Sequence, residues 1–287
     1  MGVQALSLVL TAAVLHALWN LAAKQVVVDG VVFVYLYVVG SVVIWLPVAV
    51  VWVLVEHERP TLTWVYAGLL TAAFHIVYQL VLQRGYERGD MNVVYPLARG
   101  TGPLVTFVVA VTFLGERPGA VAVAGVLAVL AGVLVISTGG VSRPRGSTRA
   151  GVLWGVGTGI AIAAYTLWDN RSVTELDVPP LPYFVLGLLL QLPAMTVILG
   201  RRRTQLPAVW AQSKWQILVV AVLSPIAYVL VLRAQQLAPI SLVAPARESS
   251  IMIGALLSWW VLKEPDPRRR LVGSAVVLVG IAAIVVG

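Results

Sequence analysis

Three charged residues stand inside apolar segments of this 287-residue sequence. Arg99 lies in YPLARGTGPLVTFVV, and Arg247 and Glu248 lie side by side in SLVAPARESSIMIGA. A guanidinium keeps its charge in a low-dielectric medium, so each arginine needs an acid, water or a ligand as its partner. Charged groups at membrane depth usually face a polar cavity or the path of a substrate.

The depth of these residues follows from the helical rise. Arg99 lies nine residues after Asp90, which is about 13 Å along a helix and close to the middle of a ~30 Å hydrocarbon layer. Glu248 lies nine residues after Pro239, at a similar depth. Arg247 and Glu248 point roughly 100° apart on one helix, so they do not simply neutralise each other. Two interpretations stay open: the three residues line a central cavity, or they form ion pairs between the two halves of the chain.

Aromatic and imidazole side chains at helical spacing add to these candidates. His16, Trp19 and Asn20 share one face of the first apolar segment, and His75 and Tyr78 share a face of the third. A histidine there either shuttles protons and donates to a carboxylate ligand or makes a hydrogen bond between helices. Three tyrosines lie in deep segments, where they either contact a ligand or only pack: Tyr95, Tyr165 and Tyr228.

The predicted substrate site therefore comprises eleven residues, and two of them are also candidates for proton coupling, namely Glu248 and His16. The eleven are His16, Trp19, Asn20, His75, Tyr78, Tyr95, Arg99, Tyr165, Tyr228, Arg247 and Glu248. The sequence has no metal-ligand spacing, no cofactor motif and no serine-base or paired-carboxylate pattern. We therefore expect no metal, no cofactor and no enzymatic activity.

Three further acids are interpreted as structural. Asp169 lies some twenty residues after Arg149, which puts it near the far membrane interface, and a salt bridge with Arg171 is the expected arrangement. Glu116 and Glu264 each precede a proline at the start of a helix, where a carboxylate favours the positive end of the helix dipole.

The composition sets the class of protein that must position these residues. Hydrophobic residues make up 60% of the chain, charged residues 11%, and the mean hydropathy is +0.93, which predicts an integral membrane protein. The sequence has no cysteine, which excludes disulfides, thiol catalysis and zinc-thiolate sites. The net charge is +8. The lysines and arginines that cause it lie mostly in short loops, where cations meet lipid headgroups rather than nucleic acid.

Apolar stretches of about 20 residues, the length that crosses a bilayer, nearly fill the chain. They predict an all-α protein of about ten transmembrane helices, with the first one retained rather than cleaved as a signal peptide. The predicted spans are residues 3–25, 31–55, 62–83, 90–114, 118–138, 149–173, 180–200, 209–236, 239–262 and 268–287.

The sequence repeats itself. Four pairs of residues share an offset of 148 positions: Arg99 with Arg247, Glu116 with Glu264, Gly125 with Gly273, and Gly132 with Gly280. Because each half holds an odd number of spans, the second half crosses the membrane in the opposite sense, as an inverted repeat. The predicted units are residues 1–140 and 149–287, each a five-helix repeat, with a linker at 141–148.

Small residues recur at helical spacing and predict close helix packing. Gly151, Gly155 and Gly159 repeat every four residues, and Gly125 and Gly132 repeat every seven. The partner of each face is either another helix of the same chain or a second copy of the protein, so a homodimer through these helices stays open.

The two halves resemble the drug/metabolite transporter superfamily, and within it the ten-span EamA-type carriers. The resemblance lies in LGERPGAVAVAGVLAVLAGVLVI and LKEPDPRRRLVGSAVVLVGIAAIVV, which are similar to the Leu-x-Glu-x-Pro turn and glycine-spaced helix of that family. It implies a carrier, mostly of exporter type, that moves small metabolites, amino acids or drugs by alternating access. The four-span multidrug members use a glutamate in the first helix, whereas this chain has His16 and Asn20 there.

The orientation in the membrane is contradictory at this point. The resemblance implies that both termini face the cytoplasm. The loops on that side then hold four cations and the opposite loops fourteen, although cations normally concentrate on the cytoplasmic side. The charge count therefore favours termini that face outward.

The sequence thus predicts a multi-pass protein of the plasma (inner) membrane that transports a small metabolite. Two deep arginines against one deep glutamate favour an anionic or zwitterionic substrate such as an amino acid. No G-x-x-x-x-G-K-[ST] motif is present, so gradients would drive transport, with a proton as a candidate coupling ion. The alternatives are a lipid flippase or scramblase and a proton-coupled multidrug exporter; besides lipids and the small molecule, no nucleic-acid partner is expected.

Overall fold

The computed structural model describes residues 1–137, 148–262 and 267–287. In these ranges the chain forms helices and no strand, which confirms the all-α fold class. The first half holds α1 to α5, whose bounds are Val3–Lys24, Gly30–Val55, Leu62–Arg88, Met91–Thr112 and Ala120–Ser137. The second half holds α6 to α11, whose bounds are Thr148–Thr174, Pro180–Leu199, Leu206–Gln235, Ile240–Arg247, Ser249–Leu262 and Pro267–Val286.

The described residues form about ten membrane spans. Within the described ranges, nine helical stretches are long and apolar enough to cross a membrane. One of them, Pro180–Gln235, has 56 residues, which is about 84 Å of helix against a bilayer of ~40–45 Å. This stretch turns at Gly200, where φ is 49°, and continues as the 3₁₀ turn Gly200–Gln205, so it contains the two spans α7 and α8. The predicted spans are confirmed in number.

One span differs from a simple rod. Residues 239–262 are predicted as a single helix, but the chain breaks between α9 and α10 at Glu248. Pro245 lies inside α9 and lacks the N–H that would continue the helical bonding. Broken helices at membrane depth occur where the freed backbone groups lie inside protein or line a cavity.

Helix packing follows the internal repeat. The span formed by α9 and α10 is the counterpart of α4, and α11 is the counterpart of α5. The contact of α1 with α8 is matched by that of α6 with α3, and the contact of α2 with α8 by that of α7 with α3. In the same way, α1 packs on α10 as α6 packs on α4. This exchange of partners is what a two-fold relation between inverted halves requires.

Glycines allow α5 and α11 to touch backbone to backbone. A Cβ atom added at Gly125 would lie 2.6 Å from the carbonyl oxygen of Gly280, and one added at Gly132 would lie 2.8 Å from that of Gly273. Real Cβ atoms do not approach so closely. The four glycines that the offset of 148 residues pairs in sequence therefore meet crosswise in space.

The glycines of α6 serve the same purpose against α4. A Cβ atom added at Gly155 would lie 2.9 Å from the Cβ of Leu97. One added at Gly159 would lie 2.5 Å from the Cβ of Thr101. The glycine faces that the sequence left open to a homodimer are thus filled by helices of the same chain.

Glu116 acts at a different helix from the one expected. Its two carboxylate oxygens accept hydrogen bonds from the backbone N–H groups of Ile240 and Ser241, both at 2.9 Å. It therefore caps the N-terminus of α9 in the second half, and the expectation that it serves the start of its own following helix is wrong. The reason is tertiary: α5 begins at Ala120, four residues further on, whereas packing of the halves brings α9 within reach. Glu264 and most of the linker predicted at 141–148 lie outside the described residues.

Gly132→Ala should destabilise the protein, because its methyl group would push α5 away from α11 at the Gly273 carbonyl. Overpacking of this kind costs about 1–3 kcal/mol, and the check is the thermal unfolding midpoint of purified protein in detergent.

The matched control is Gly254→Ala in α10, where the nearest atom to an added Cβ is the Cβ of Ala17 at 3.9 Å. Because alanine favours helix over glycine, this variant should be as stable as the parent or more so. Equal stability of the two variants would show that α5 and α11 do not depend on the glycine contact.

Candidate functional site

An ion pair joins the two halves in the middle of the bundle. Arg99 on α4 lies with its Nε 3.5 Å from Oε2 of Glu248, the residue at the break between α9 and α10. The side chains are 16% and 3% exposed. The sequence left two interpretations open, residues that line a cavity or ion pairs between the halves. For Arg99 and Glu248 the structure shows an ion pair between the halves.

Arg247 is placed differently. Within the part of the chain that the structure describes, its guanidinium has no ion pair and no hydrogen bond. It interacts electrostatically with Tyr165, Glu248, Tyr228 and Arg99. Glu248 is already engaged by Arg99, so a positive charge with no acid of its own remains in the interior.

Histidine and aromatic side chains surround these charges. His16 on α1 interacts electrostatically with both Arg99 and Arg247, and the Trp19 ring lies edge-on to it at 4.7 Å between centroids. The His75 ring stacks on the Tyr165 ring at 4.3 Å between centroids.

Three other tyrosines complete this arrangement. The ring centroids of Tyr78 and Tyr165 lie 5.5 Å apart, edge to face. Those of Tyr228 and His75 lie 5.8 Å apart. Tyr78 lies near Arg99, and Tyr95 lies one helical turn before Arg99 on α4, with 37% of its area exposed. Ten of the eleven predicted residues thus form one group, here called the central cluster: His16, Trp19, His75, Tyr78, Tyr95, Arg99, Tyr165, Tyr228, Arg247 and Glu248.

Asn20 is the predicted residue that the structure does not bring into the central cluster. Its side chain is exposed, and its Nδ2 donates to the backbone carbonyl of His16 at 2.8 Å. The amide is thus engaged by the preceding turn of its own helix.

A narrow cavity extends from the central cluster between α4, α6, α8 and α9. The cavity has a volume of about 10 Å³. Its walls include Thr106, Thr166, Gln235, Arg247 and Glu248. Oε1 of Gln235 and Oε2 of Glu248 are buried there and have no hydrogen-bond partner among the described residues. This space is about what one water needs, so a larger ligand requires the helices to move apart. Thr106, Thr166 and Gln235 had no signal in the sequence beyond being polar in apolar segments.

Asp169 corrects an expectation. It is not at the surface beside Arg171 but buried, with 1% of its area exposed, and Arg171 pairs instead with Glu175 at 3.1 Å. The position of Asp169 along α6 does place it near one end of the helix. However, α3, α7 and α8 enclose that end, and depth along a helix does not report lateral burial.

Three hydroxyl groups from those helices bind the Asp169 carboxylate. The hydroxyls of Thr71 and Tyr183 donate to Oδ1 at 2.6 Å each, and that of Tyr228 donates to Oδ2. Tyr228 thereby connects Asp169 to the central cluster. The one sequence signal for this acid was its alignment with Asn20 of the first half.

Glu248→Gln should destabilise the protein strongly, because it leaves the charge of Arg99 buried without its partner. Breaking a buried pair from one side costs about 3–5 kcal/mol. The free energy of unfolding in detergent measures the effect, and a double variant that also carries Arg99→Gln should recover part of the loss.

Glu175→Gln is the matched control, since it makes the same change in an ion pair whose side chains are 59% and 55% exposed. Its cost should stay below about 1 kcal/mol. If Glu248→Gln costs no more than Glu175→Gln, the Arg99 pair does not hold the halves together.

Comparison with known protein families matches the chain twice to the EamA-like transporter family, at residues 3–138 and 149–286. A comparison with curated proteins finds no match. One solved crystal structure is similar over 98% of both chains, with a TM-score of 0.73 and 17% sequence identity, a level at which the likeness concerns the fold alone.

The two family matches cover almost all of the sequence and divide it as the internal repeat does. The chain therefore belongs to the EamA-like transporter family, and it is a multi-pass membrane transporter of the drug/metabolite type.

Proposed function

We propose that this protein is a secondary transporter that exports a small anionic or zwitterionic metabolite, most simply an amino acid, by alternating access through the central cluster. The observation that carries the proposal is the unequal partnership of the two deep arginines. Glu248 is engaged by Arg99, and Arg247 is left with no acid in the described ranges.

Arg247 supplies the anion-binding group of the proposed site. A guanidinium presents several donors in a planar fork, and a carboxylate accepts two of them side by side. In a site of low dielectric, this contact would complete the charge balance that the protein leaves open. A neutral or cationic substrate would leave Arg247 unsatisfied.

Other unpartnered polar atoms suit a zwitterion. Oε2 of Glu248 accepts no hydrogen bond in the part described, although Arg99 is near enough for an ion pair. An ammonium group of the substrate could bind this oxygen. Nε1 of Trp19 is also buried without an acceptor among the described residues and is free to donate to a ligand beside His16.

The aromatic wall favours a small organic body between these polar ends. Tyr165 and Tyr228 contact His75, and Tyr228 stacks on Phe184 at 4.6 Å between centroids. Rings of this kind pack against an aliphatic or aromatic group and keep a polar edge for hydrogen bonding.

The architecture supports alternating access. The two halves are inverted copies that meet at the central cluster, and transporters built in this way rock one half against the other around a site near the midplane. Since the cavity beside Arg247 has room for about one water, substrate entry needs such a movement. The sequence has no ATP-binding motif, so a gradient would supply the energy. Export of a metabolite would place the protein in the plasma membrane, the inner one of a cell with two membranes.

The ligand class is tested by thermal unfolding of purified protein against amino acids, organic anions, cationic drugs and lipids. We expect a carboxylate-bearing zwitterion to raise the midpoint, because a ligand at a hundredfold excess over its Kd adds about 2.7 kcal/mol of stability. Arg247→Gln should abolish this shift.

Arg171→Gln is the control for Arg247→Gln, since Arg171 is exposed and lies away from the central cluster; it should keep the shift. Stabilisation by cationic drugs alone would favour the multidrug alternative, and stabilisation by lipid alone would favour the flippase. A zwitterion shift that survives Arg247→Gln would contradict the assigned anion site.

A further inference from the structure

The connection between α7 and α8 carries positive charge that the central cluster does not use. Three successive arginines, Arg201, Arg202 and Arg203, lie in the 3₁₀ turn Gly200–Gln205, and all three are exposed. The loops on this side of the bundle hold fourteen cations, against four on the other side. The connection therefore lies where the positive charge of the protein is concentrated.

The length of α8 places this connection outside the hydrocarbon layer. The helix has 30 residues, which is about 45 Å, whereas the hydrocarbon layer is ~30 Å thick. Its backbone is not helical at Ser213, where φ is −131° and ψ is 21°. The part after Ser213 is about 33 Å long and spans the layer by itself. Residues 200–212 therefore lie at the level of the lipid headgroups.

Apolar contacts fix the first two turns of α8 against the start of α2. Val209 is 4% exposed and lies in one buried cluster with Val32 and Phe33. Trp210 faces the other way, with 42% of its area exposed. The segment is thus held to the protein by its apolar side and presents an aromatic ring outward.

One of the three arginines is held by the protein. Nη1 of Arg202 lies 3.6 Å from Oδ1 of Asp29, which caps α2 by accepting from the backbone N–H of Val31 at 2.9 Å. Successive residues of a 3₁₀ helix point about 120° apart, so Arg201 and Arg203 are directed away from Asp29. In the described ranges, neither of these two guanidinium groups forms an ion pair or a hydrogen bond.

A further cation extends this charge along α8. Nζ of Lys214 lies 5.8 Å from the centroid of the Trp215 ring, and this residue is 68% exposed. Indole rings favour the headgroup layer, because their body is apolar and their N–H can meet water. An ammonium beside an aromatic ring keeps N–H donors for an acceptor. The exposed residues of this surface are here called the basic strip: Arg201, Arg203, Trp210, Lys214 and Trp215.

We propose that the basic strip binds the headgroups of anionic phospholipids. Residues 200–216 contain no aspartate or glutamate, so nothing in this segment balances Arg201, Arg203 and Lys214. A phosphate group accepts two parallel N–H groups of a guanidinium, and the acyl chains of the same molecule would lie beside the two indole rings. Among anions that suit exposed arginines, a phospholipid is the one that is already present at this depth of the membrane.

This inference is independent of the transported substrate. The basic strip lies at one end of the bundle, and its residues belong neither to the central cluster nor to the walls of the cavity beside Arg247. A lipid bound there is a neighbour of the transporter rather than its cargo. It would hold this end of α8 at the membrane surface.

The binding is tested by native mass spectrometry of the purified full-length protein with phosphatidylglycerol and with phosphatidylcholine of the same acyl chains. We expect the parent protein to bind phosphatidylglycerol more tightly. The double variant Arg201→Gln/Arg203→Gln should lose about fivefold in this affinity for each cation removed, the usual effect of one cation at an anionic surface. Its affinity for phosphatidylcholine should stay that of the parent.

The matched control is Arg59→Gln/Arg117→Gln, which removes the same charge from two exposed arginines at the opposite end of the bundle. It should bind phosphatidylglycerol as the parent does. The proposal is overturned if the strip variant keeps the parent's affinity, or if the control loses as much, since net charge alone would then explain the effect. Equally tight binding of free glycerol phosphate would overturn the assignment to a membrane lipid.

The position of the lipid is tested by fluorescence quenching in vesicles of phosphatidylglycerol and phosphatidylcholine. The part of the tryptophan emission that Trp215→Phe removes reports on the basic strip. A spin label on the phosphatidylglycerol headgroup should quench this part more than the same label on phosphatidylcholine, and added salt should reduce the difference because it screens exposed charges. Equal quenching by the two lipids would place the bound phosphatidylglycerol elsewhere and overturn the proposal.

Discussion

A guanidinium cannot lose its proton inside a membrane protein, so the structure must provide each deep arginine with negative charge or water. Arg99 receives it from Glu248, in the other half of the chain. Glu248 can offer its carboxylate there because the span of the second half breaks at this residue, between α9 and α10. The same break places Arg247 next to the pair, where no described residue forms an ion pair with it. The proposed chemistry of the site follows from that imbalance.

The two halves meet through three kinds of contact, each suited to a membrane environment. Between α5 and α11, glycines allow close backbone contact. This packing stabilises the helix pair in a membrane, where no hydrophobic driving force brings helices together. In the interior the ion pair joins α4 to the α9–α10 break. At one end of the bundle, Glu116 of the first half caps α9 of the second. A movement that opens the central cluster must keep the first of these contacts or replace it, whereas the ion pair and the cap can exchange with water as they become exposed.

The sequence was most informative where a one-dimensional pattern has a direct physical cause. The spans follow from the length of apolar segments, and the glycine spacing predicted close packing of α5 and α11 without naming the partner of either helix. The depth of Arg99 and Arg247 followed from the helical rise alone. The pairing of Arg99 with Glu248 did not, because it depends on the relative rotation of two helices and on a break that Pro245 favours but does not require. Asp169 was misplaced for a related reason: its distance from the end of α6 was estimated correctly, but the enclosure by Thr71, Tyr183 and Tyr228 comes from three other helices.

The most direct test of this account is a structure of the protein in lipid nanodiscs, determined by electron cryo-microscopy with a stabilising amino acid bound. The account predicts that the ligand carboxylate lies against the guanidinium of Arg247 while Arg99 remains beside Glu248. A ligand bound elsewhere, with Arg247 paired to an acid of the protein, would contradict it.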